Sequence, residues 1–538
     1  MCSNRGCRHG ASEDDDAGQQ MDACERWLSR RVSERTNGTS RTTDCRPVVN
    51  RWTGRSSYPL PTRSGPLADP RAGLPPISRC DMFPIPSTAA VLTGLVALLV
   101  GPSRPAPIAA SGKVRPVTAA DTGWRAFDST LALATFDSAW RTIGVTLEER
   151  GITRIDWTGV RRELRPRAAV ATSDSALRVV IDDMLGRLGE SHFALLPAQV
   201  QPIGDAAGTD AALGTARVAL RILDGHVVVW RADRDGAARR AGLRPGWIVE
   251  RIGRVELAPL GVADSTGLRR LATLTGAMRA LRGAPGTPMS LVARDETGAR
   301  HTLQLELDSL RGPLSKFGNL PPLPATFESE LRQLADGRCV AVIHFEYWMP
   351  PVMPALDRAV EASRSCGGMV LDLRGNLGGV AGMIMGVAGH FLGEPKTLGI
   401  MRTRGDEMRF VANPRRATDD GKAVEPFAGD LAILVDGLSA STSEMFAAAM
   451  QALGRARIFG ERTAGQALPA VATRLPSGDV LMHVVADFVA PDGRKIEGSG
   501  VLPDEVVPLT ASDLANERDG PLEAALRWMD RGRPRSQR

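Results

Sequence analysis

Leu434-Val435-Asp436-Gly437-Leu438-Ser439-Ala440-Ser441-Thr442-Ser443-Glu444 is the stretch on which the fold turns. The apolar run Leu431–Val435 reads as a buried strand, and Gly437 interrupts it. Glu444–Leu453 then reads as a helix. A serine at a strand-to-helix turn stands exposed, and the amides of a helix N-terminus favour negative charge developing beside it. Serine-rich turns also cap helices for purely structural reasons, so this turn alone does not assign a nucleophile.

The same strand-to-helix pattern repeats upstream. Val340–Phe345 and Gly368–Leu373 read as buried strands, and Met383–Phe391 as a helix. Arg457–Phe459 reads as a further strand and Gly520–Trp528 as a closing helix. Alternating strands and helices point to an α/β layer. The second strand runs into Asp372-Leu373-Arg374-Gly375-Asn376-Leu377-Gly378-Gly379. Two glycines after a strand let backbone amides approach a ligand closely, and a pair of such amides can form an oxyanion hole. A plain connecting turn has the same spacing.

Two further units precede this layer. Trp124, Phe127, Leu131, Leu133, Phe136, Trp140 and Ile143 recur at helical spacing, and a second helix is expected from about Ser173 to Leu188, with Ser173 or Asp174 as its cap. It ends at Gly189 and delivers Ser191-His192 to whatever follows. Beyond it lie short strands at Ala216–Ile222 and Val227–Trp230. Then comes Asp235-Gly236-Ala237-Ala238-Arg239-Arg240-Ala241-Gly242-Leu243-Arg244-Pro245-Gly246-Trp247, a helix at 267–281 and strands at 289–296 and 300–307. This order resembles a PDZ domain of the bacterial protease type, with Trp247 in place of the usual aspartate. The resemblance implies capture of an extended peptide at a sheet edge.

Asp-Leu-Arg-x-Asn-x-Gly-Gly, then Ser-Ala-Ser-x-Ser-Glu, then Gly460-Glu461-Arg462-Thr463-Ala464-Gly465, taken in that order, resemble the S41 family of serine peptidases. The resemblance spans roughly residues 120–512. It implies an α/β chain: a crotonase/ClpP-like catalytic core with an N-terminal helical unit and a small β-rich PDZ domain. It places the nucleophile at Ser441 and the oxyanion donors at the amides of Gly378 or Gly379 and of Thr442. The carboxy-terminal processing branch takes its lysine base directly after the third motif, where this chain has Gln466. A glutamine accepts no proton at neutral pH. The tricorn-like branch uses His and Glu instead, and Ser191-His192 and Glu497 (in Ile496-Glu497-Gly498-Ser499-Gly500-Val501-Leu502-Pro503-Asp504) match its pattern. The expected triad is Ser441, His192 and Glu497, with Ser191 in support. Of the other histidines, His483 is the best rival base. The alternative reading is a catalytically inactive S41-like protein that binds peptide or apolar ligands.

Composition narrows the partners. With 43% hydrophobic residues the chain has material for real cores. Thirteen arginines against nine acids crowd residues 1–80, so most of the net +6 sits there and the body is nearly neutral. No dense basic face marks a nucleic-acid binder. No Cys/His spacing marks a metal site, and no cofactor is expected. The expected partner is a polypeptide substrate, held through the PDZ unit. Ala89–Val100 is too short to span a membrane comfortably; behind Met82, with Ala106, Ala109 and Ala110 following, it reads as a secretory signal or anchor. An exported protein, periplasmic or extracellular, is expected. The organisation is then 1–81, a disordered or mis-started extension; 82–110, signal peptide or anchor; 118–205, helical domain; 210–310, PDZ domain; 313–512, peptidase core; 513–538, closing helix and tail. Cys339 and Cys366, the two cysteines beyond residue 80, precede neighbouring strands. They are either a disulfide or two buried thiols.

Overall fold

The computed structural model describes residues 127–198, 214–261, 267–310, 312–316, 318–319 and 323–531. The extension 1–81, the signal or anchor 82–110 and Trp124 lie outside the described residues. Three helices come first: α1 (Ser129–Glu149), α2 (Trp157–Ala169) and α3 (Asp174–Gly186). Asp128, Asp156 and Ser173 cap them by accepting first-turn amide hydrogens, which have no partner inside a helix. Phe136, Ile143, Leu164 and Ile181 pack between them. That core is completed by Leu468, Leu475, Leu481 and Val484 from far along the chain. Strand β1 (Ala194–Leu196) follows α3 and pairs antiparallel with Val480–Met482. The helical unit therefore shares its core with Leu468, Leu475, Leu481 and Val484 of the C-terminal part of the chain.

An antiparallel sheet follows, with β2 (Val218–Leu223), β3 (His226–Ala232), β4 (Ile248–Ile252), β5 (Pro288–Arg294) and β6 (Arg300–Glu306) in sequence order. Helix α4 (Ala237–Arg240) follows β3, and α5 (Gly267–Ala280) lies between β4 and β5. Val229, Leu243, Val249 and Leu291 are among the residues of a separate core here. The unit is pinned to the rest of the chain by arginines. Arg221 Nε donates to Asp436 Oδ2 at 2.9 Å and Arg231 Nη2 to Asp372 Oδ2 at 2.6 Å. Both guanidinium groups stack on Trp230, at 3.8 and 4.2 Å from a ring centroid.

The large sheet runs β7 (Phe327–Gln333), β8 (Cys339–Phe345), β9 (Gly368–Asp372), β10 (Asp430–Val435), β11 (Arg457–Gly460) and β12 (Glu505–Val506). Only β7 and β8 pair antiparallel; each later pair is parallel. The alternation of side chains explains why it is buried on both sides. Ile343, Leu371, Ile433 and Ile458 face one core with α6 (Met353–Ala362), α7 (Met383–Gly389) and α8 (Thr442–Ala452). Val342, Val370, Leu434 and Phe459 face the other with α9 (Gly520–Arg531). The architecture is mixed α/β, as expected from the sequence. The helix after Ser441 starts at Thr442, two residues earlier than the sequence suggests. Lys495 makes one isolated bridge to Val489, outside the named strands.

Cys339 and Cys366 are joined as a disulfide across the connection between β8 and β9, with Cα atoms 4.8 Å apart and a sequence separation of 27. That settles the open pairing. Closing a loop of this size restricts the unfolded chain, and the double substitution Cys339→Ser/Cys366→Ser is expected to lower the unfolding free energy by about 2–4 kcal/mol. Urea denaturation checks this; an unchanged midpoint at equal slope would show that the link contributes nothing.

Candidate active site

β10 runs into Asp436, whose carboxylate organises the turn beyond it. Asp436 Oδ1 accepts from the amides of Gly375, Leu438 and Ser439 at 2.9, 3.0 and 3.1 Å. Ser439 Oγ donates to Leu373 O at 2.8 Å. The Ala440 amide and Ser443 Oγ both donate to Asn376 O, at 3.0 and 3.1 Å. The Ser441 turn is thereby stitched to the Asp372–Gly379 loop on one side. On the other, the Ser441 amide donates to Gln466 O at 2.7 Å. The backbone at Ser441 has φ 55° and ψ −118°, a strained conformation that costs about 1–3 kcal/mol and persists where neighbours over-determine it. These cross-links are those neighbours. The outcome is a serine raised at the N-terminus of α8, away from the strand.

Glu444, in the first turn of α8, closes the turn from beneath. Its carboxylate accepts from Thr463 Oγ1, from the Gly465 and Gln466 amides at 2.7 Å each, and from the Ser441 amide at 3.2 Å. Burial pushes its carboxyl up to about 7, against the pull of these donors. No role for Glu444 came out of the sequence, although Ser441-x-x-Glu444 is the spacing of a capping box. At the position where the family pattern has lysine, Gln466 contributes its backbone: the carbonyl to Ser441 and the amide to Glu444.

α3 ends at Gly186, and Gly189 (φ 66°) turns the chain toward Ser191 and His192. His192 itself has φ 62°. Its Nε2 lies 3.1 Å from Ser441 Oγ, across 249 residues of sequence. Its Nδ1 lies 2.7 Å from Ser191 Oγ. Ser191 Oγ donates to Glu497 Oε2 at 2.9 Å, and the Ser191 and Ala467 amides donate to the same carboxylate at 2.9 Å each. The sequence motifs point to Glu497 as the group that orients His192, with Ser191 in support. In the structure Glu497 bonds Ser191, and Ser191 stands between the two side chains. Burial lowers His192 to about 4 and raises Glu497.

Gly378 lies against the serine: a Cβ there would sit 2.6 Å from Ser441 Cβ and 3.0 Å from the Thr442 amide nitrogen. The Gly378 amide donates to Asn376 Oδ1 at 3.0 Å. The amides of Gly379 and Thr442 donate to no group among the described residues, and Thr442 Oγ1 donates to Gly379 O at 2.9 Å. Of the two glycines read as oxyanion donors, Gly379 is the one with a free amide. His483, the rival base, is buried between Thr146 and Thr473, with both ring nitrogens bonded to their hydroxyls. Among the described residues no cluster of His, Cys, Asp and Glu is arranged to hold a metal ion.

Residues 340–507 match the family model for peptidase family S41. The chain is 25% identical over 405 residues to a carboxyl-terminal-processing protease of Synechocystis sp., covering 72% of this chain and 84% of that one. It is 29% identical over 136 residues to a protein of Staphylococcus haemolyticus named "Probable CtpA-like serine protease"; there the match covers 25% of this chain and 26% of the relative. A solved photosystem II D1 C-terminal processing protease aligns at a TM-score of 0.49 and 21% identity, over 74% of this chain and 97% of that one. Residues 340–507 thus carry the match to peptidase family S41, and along most of its length the chain is similar in sequence to a carboxyl-terminal-processing protease.

Proposed function

We propose that this protein is an exported endopeptidase working through Ser441, His192, Ser191 and Glu497. The observation that carries the reading is the unbroken chain of hydrogen bonds from Ser441 Oγ through both nitrogens of His192 to Ser191 and Glu497. Its directions follow from donor and acceptor chemistry. An ionised carboxylate only accepts, so the Ser191 hydroxyl spends its hydrogen on Glu497. Ser191 Oγ must then accept from His192, which puts the ring proton on Nδ1. Nε2 is left as the acceptor facing Ser441. Burial of His192 keeps it neutral at neutral pH, the state a general base requires.

In this mechanism Ser441 Oγ attacks the scissile carbonyl carbon as its proton passes to His192 Nε2. The oxyanion meets the amides of Thr442 and Gly379. The tetrahedral intermediate collapses by breaking the C–N bond, and the leaving amine takes the proton from His192. A water molecule then repeats the sequence on the acyl-serine, releasing the acid and restoring Ser441. The lysine missing at Gln466 favours an inactive binder only if lysine is the sole base available to this fold. The sheet β2–β6 is proposed as the peptide-holding unit, on the resemblance of Ala241-Gly242-Leu243-Arg244-Pro245-Gly246 to a PDZ segment. Export rests on the Ala89–Val100 segment, and the Cys339–Cys366 disulfide fits an oxidising compartment. No helix among the described residues is long and apolar enough to cross a membrane.

Ser441→Ala and His192→Ala are expected to lower kcat/KM for peptide hydrolysis by several orders of magnitude. Glu497→Gln is expected to cost less than the roughly 10⁴-fold seen when a carboxylate bonded directly to the histidine is neutralised, because Ser191 intervenes. Near-full rate in His192→Ala would remove the mechanism. Gly378→Ala is expected to abolish turnover, since its methyl group meets Ser441 Cβ; a variant of wild-type activity would show that the loop yields. In the pH profile of kcat/KM, activity is lost as protonation reaches His192 and Glu497. A lowered imidazole puts the acid midpoint below the ~6.5 of an ordinary histidine. A midpoint at or above that value contradicts the assignment.

A further inference from the structure

The turn that carries His192 is gripped by a charge clamp that the mechanism above does not use. Gly189 and His192 both have positive φ, and for a histidine that conformation needs outside support. Ser191 is held by Glu497. Glu190, the residue before it, is held by Arg150. Arg150 caps the C-terminus of α1 and its side chain is 4% exposed. Its Nη1 donates to Glu190 Oε2 at 2.6 Å, while Nε and Nη2 donate to Asp487 Oδ1 at 2.9 and 2.5 Å. Asp487 opens the strand Asp487–Val489, which leads into the turn bearing Glu497. One buried guanidinium thus spans the two segments that supply the histidine and the carboxylate, 40 and 337 residues away from it.

The charges around Glu497 give the clamp a second effect. Glu190 lies near enough to Glu497 to disfavour its ionisation, in addition to the larger effect of burial. The cations nearby are Arg150, the exposed Arg154 on Glu190 Oε1 at 3.0 Å, and Lys495 on Asp487 Oδ2 at 3.3 Å. Of these only Arg150 is buried, so only its pairing escapes strong screening by water and salt. His192 is neutral and adds no charge. Removing one partner of a buried pair leaves the other uncompensated. Without Arg150, Glu190 loses its buried cationic partner, and its charge next to the Ser191–Glu497 contact is less fully offset. A protonated Glu497 no longer compels Ser191 to donate toward it, and the His192 proton is then free to move to Nε2.

We infer that Arg150 is a positioning residue for the relay, holding the strained Glu190–His192 turn in reach of Ser441 and keeping Glu497 ionised by neutralising Glu190. The inference rests on the relay proposed above. It is tested by the pH profile of kcat/KM for the full chain and its Arg150→Gln, Arg150→Lys, Glu190→Gln and Arg150→Gln/Glu190→Gln variants. Arg150→Gln is expected to lower the neutral rate and move the acid midpoint up by about one pH unit. Arg150→Lys should fall between it and the wild type. Glu190→Gln should move the midpoint down, and adding it to Arg150→Gln should bring the midpoint back toward the wild-type value. A purely structural role lowers the rate at every pH and leaves the midpoint where it was. An unmoved midpoint in Arg150→Gln, or in Glu190→Gln should Arg150→Gln fail to fold, overturns the inference. Ser441→Ala and His192→Ala, run alongside, separate the two levels. If they stay active, the relay itself falls. If they are dead while the midpoints hold still, only the role of Arg150 falls.

Discussion

The hydrogen bond from Ser191 to Glu497 constrains everything around it. A carboxylate that accepts from Ser191 Oγ, the Ser191 amide and the Ala467 amide leaves the serine hydroxyl a single direction in which to donate. In the proposed relay the proton on His192 then sits on the side away from Ser441. Burial opposes this arrangement by raising Glu497, and the three donors oppose burial. The same burial keeps His192 neutral. In the proposed function, a buried site with a relayed carboxylate therefore holds a proton acceptor beside Ser441, without a lysine.

The fold serves that geometry by bringing distant segments to one point. The parallel strands β9 and β10 end in the Asp372–Gly379 and Asp436–Ser441 loops, and Asn376 and Asp436 cross-link the two. The helices α1–α3 share a core with Leu468–Val484, so His192 arrives on a unit that cannot drift from the sheet. Arg221 and Arg231 of the β2–β6 unit end on Asp436 and Asp372. Those are the two aspartates that shape the loops, so the β-rich unit is in electrostatic contact with the turn that carries Ser441. Breaking either ion pair would expose a half-buried or buried charge.

Part of this was legible from sequence and part was not, for physical reasons. β8, β9 and β10 carry continuous apolar runs through their middles because both faces are covered, and such runs announce themselves. Ser441 was legible because three glycine- and serine-rich motifs occur in order. α2 went unnoticed: its sequence is rich in arginine and contains Pro166, and only Trp157, Leu164 and Ala168 are buried. β7 went unnoticed because it is an exposed edge strand with almost no apolar alternation. His192 and Glu497 were readable only through the family pattern. That pattern names the residues without the order of contacts, in which Ser191 stands between His192 and Glu497. Nothing local flags Arg150, whose partners are set by the tertiary fold.

The tautomer of His192 is the most direct test of the account. Nitrogen-15 NMR of the histidine-labelled protein at neutral pH, assigned with a His192→Gln variant, reads which ring nitrogen carries the proton. The account predicts a protonated Nδ1 and a bare Nε2, reverting to a mixture of tautomers in Glu497→Gln. A proton resident on Nε2, or a ring fully charged at neutral pH, would contradict it.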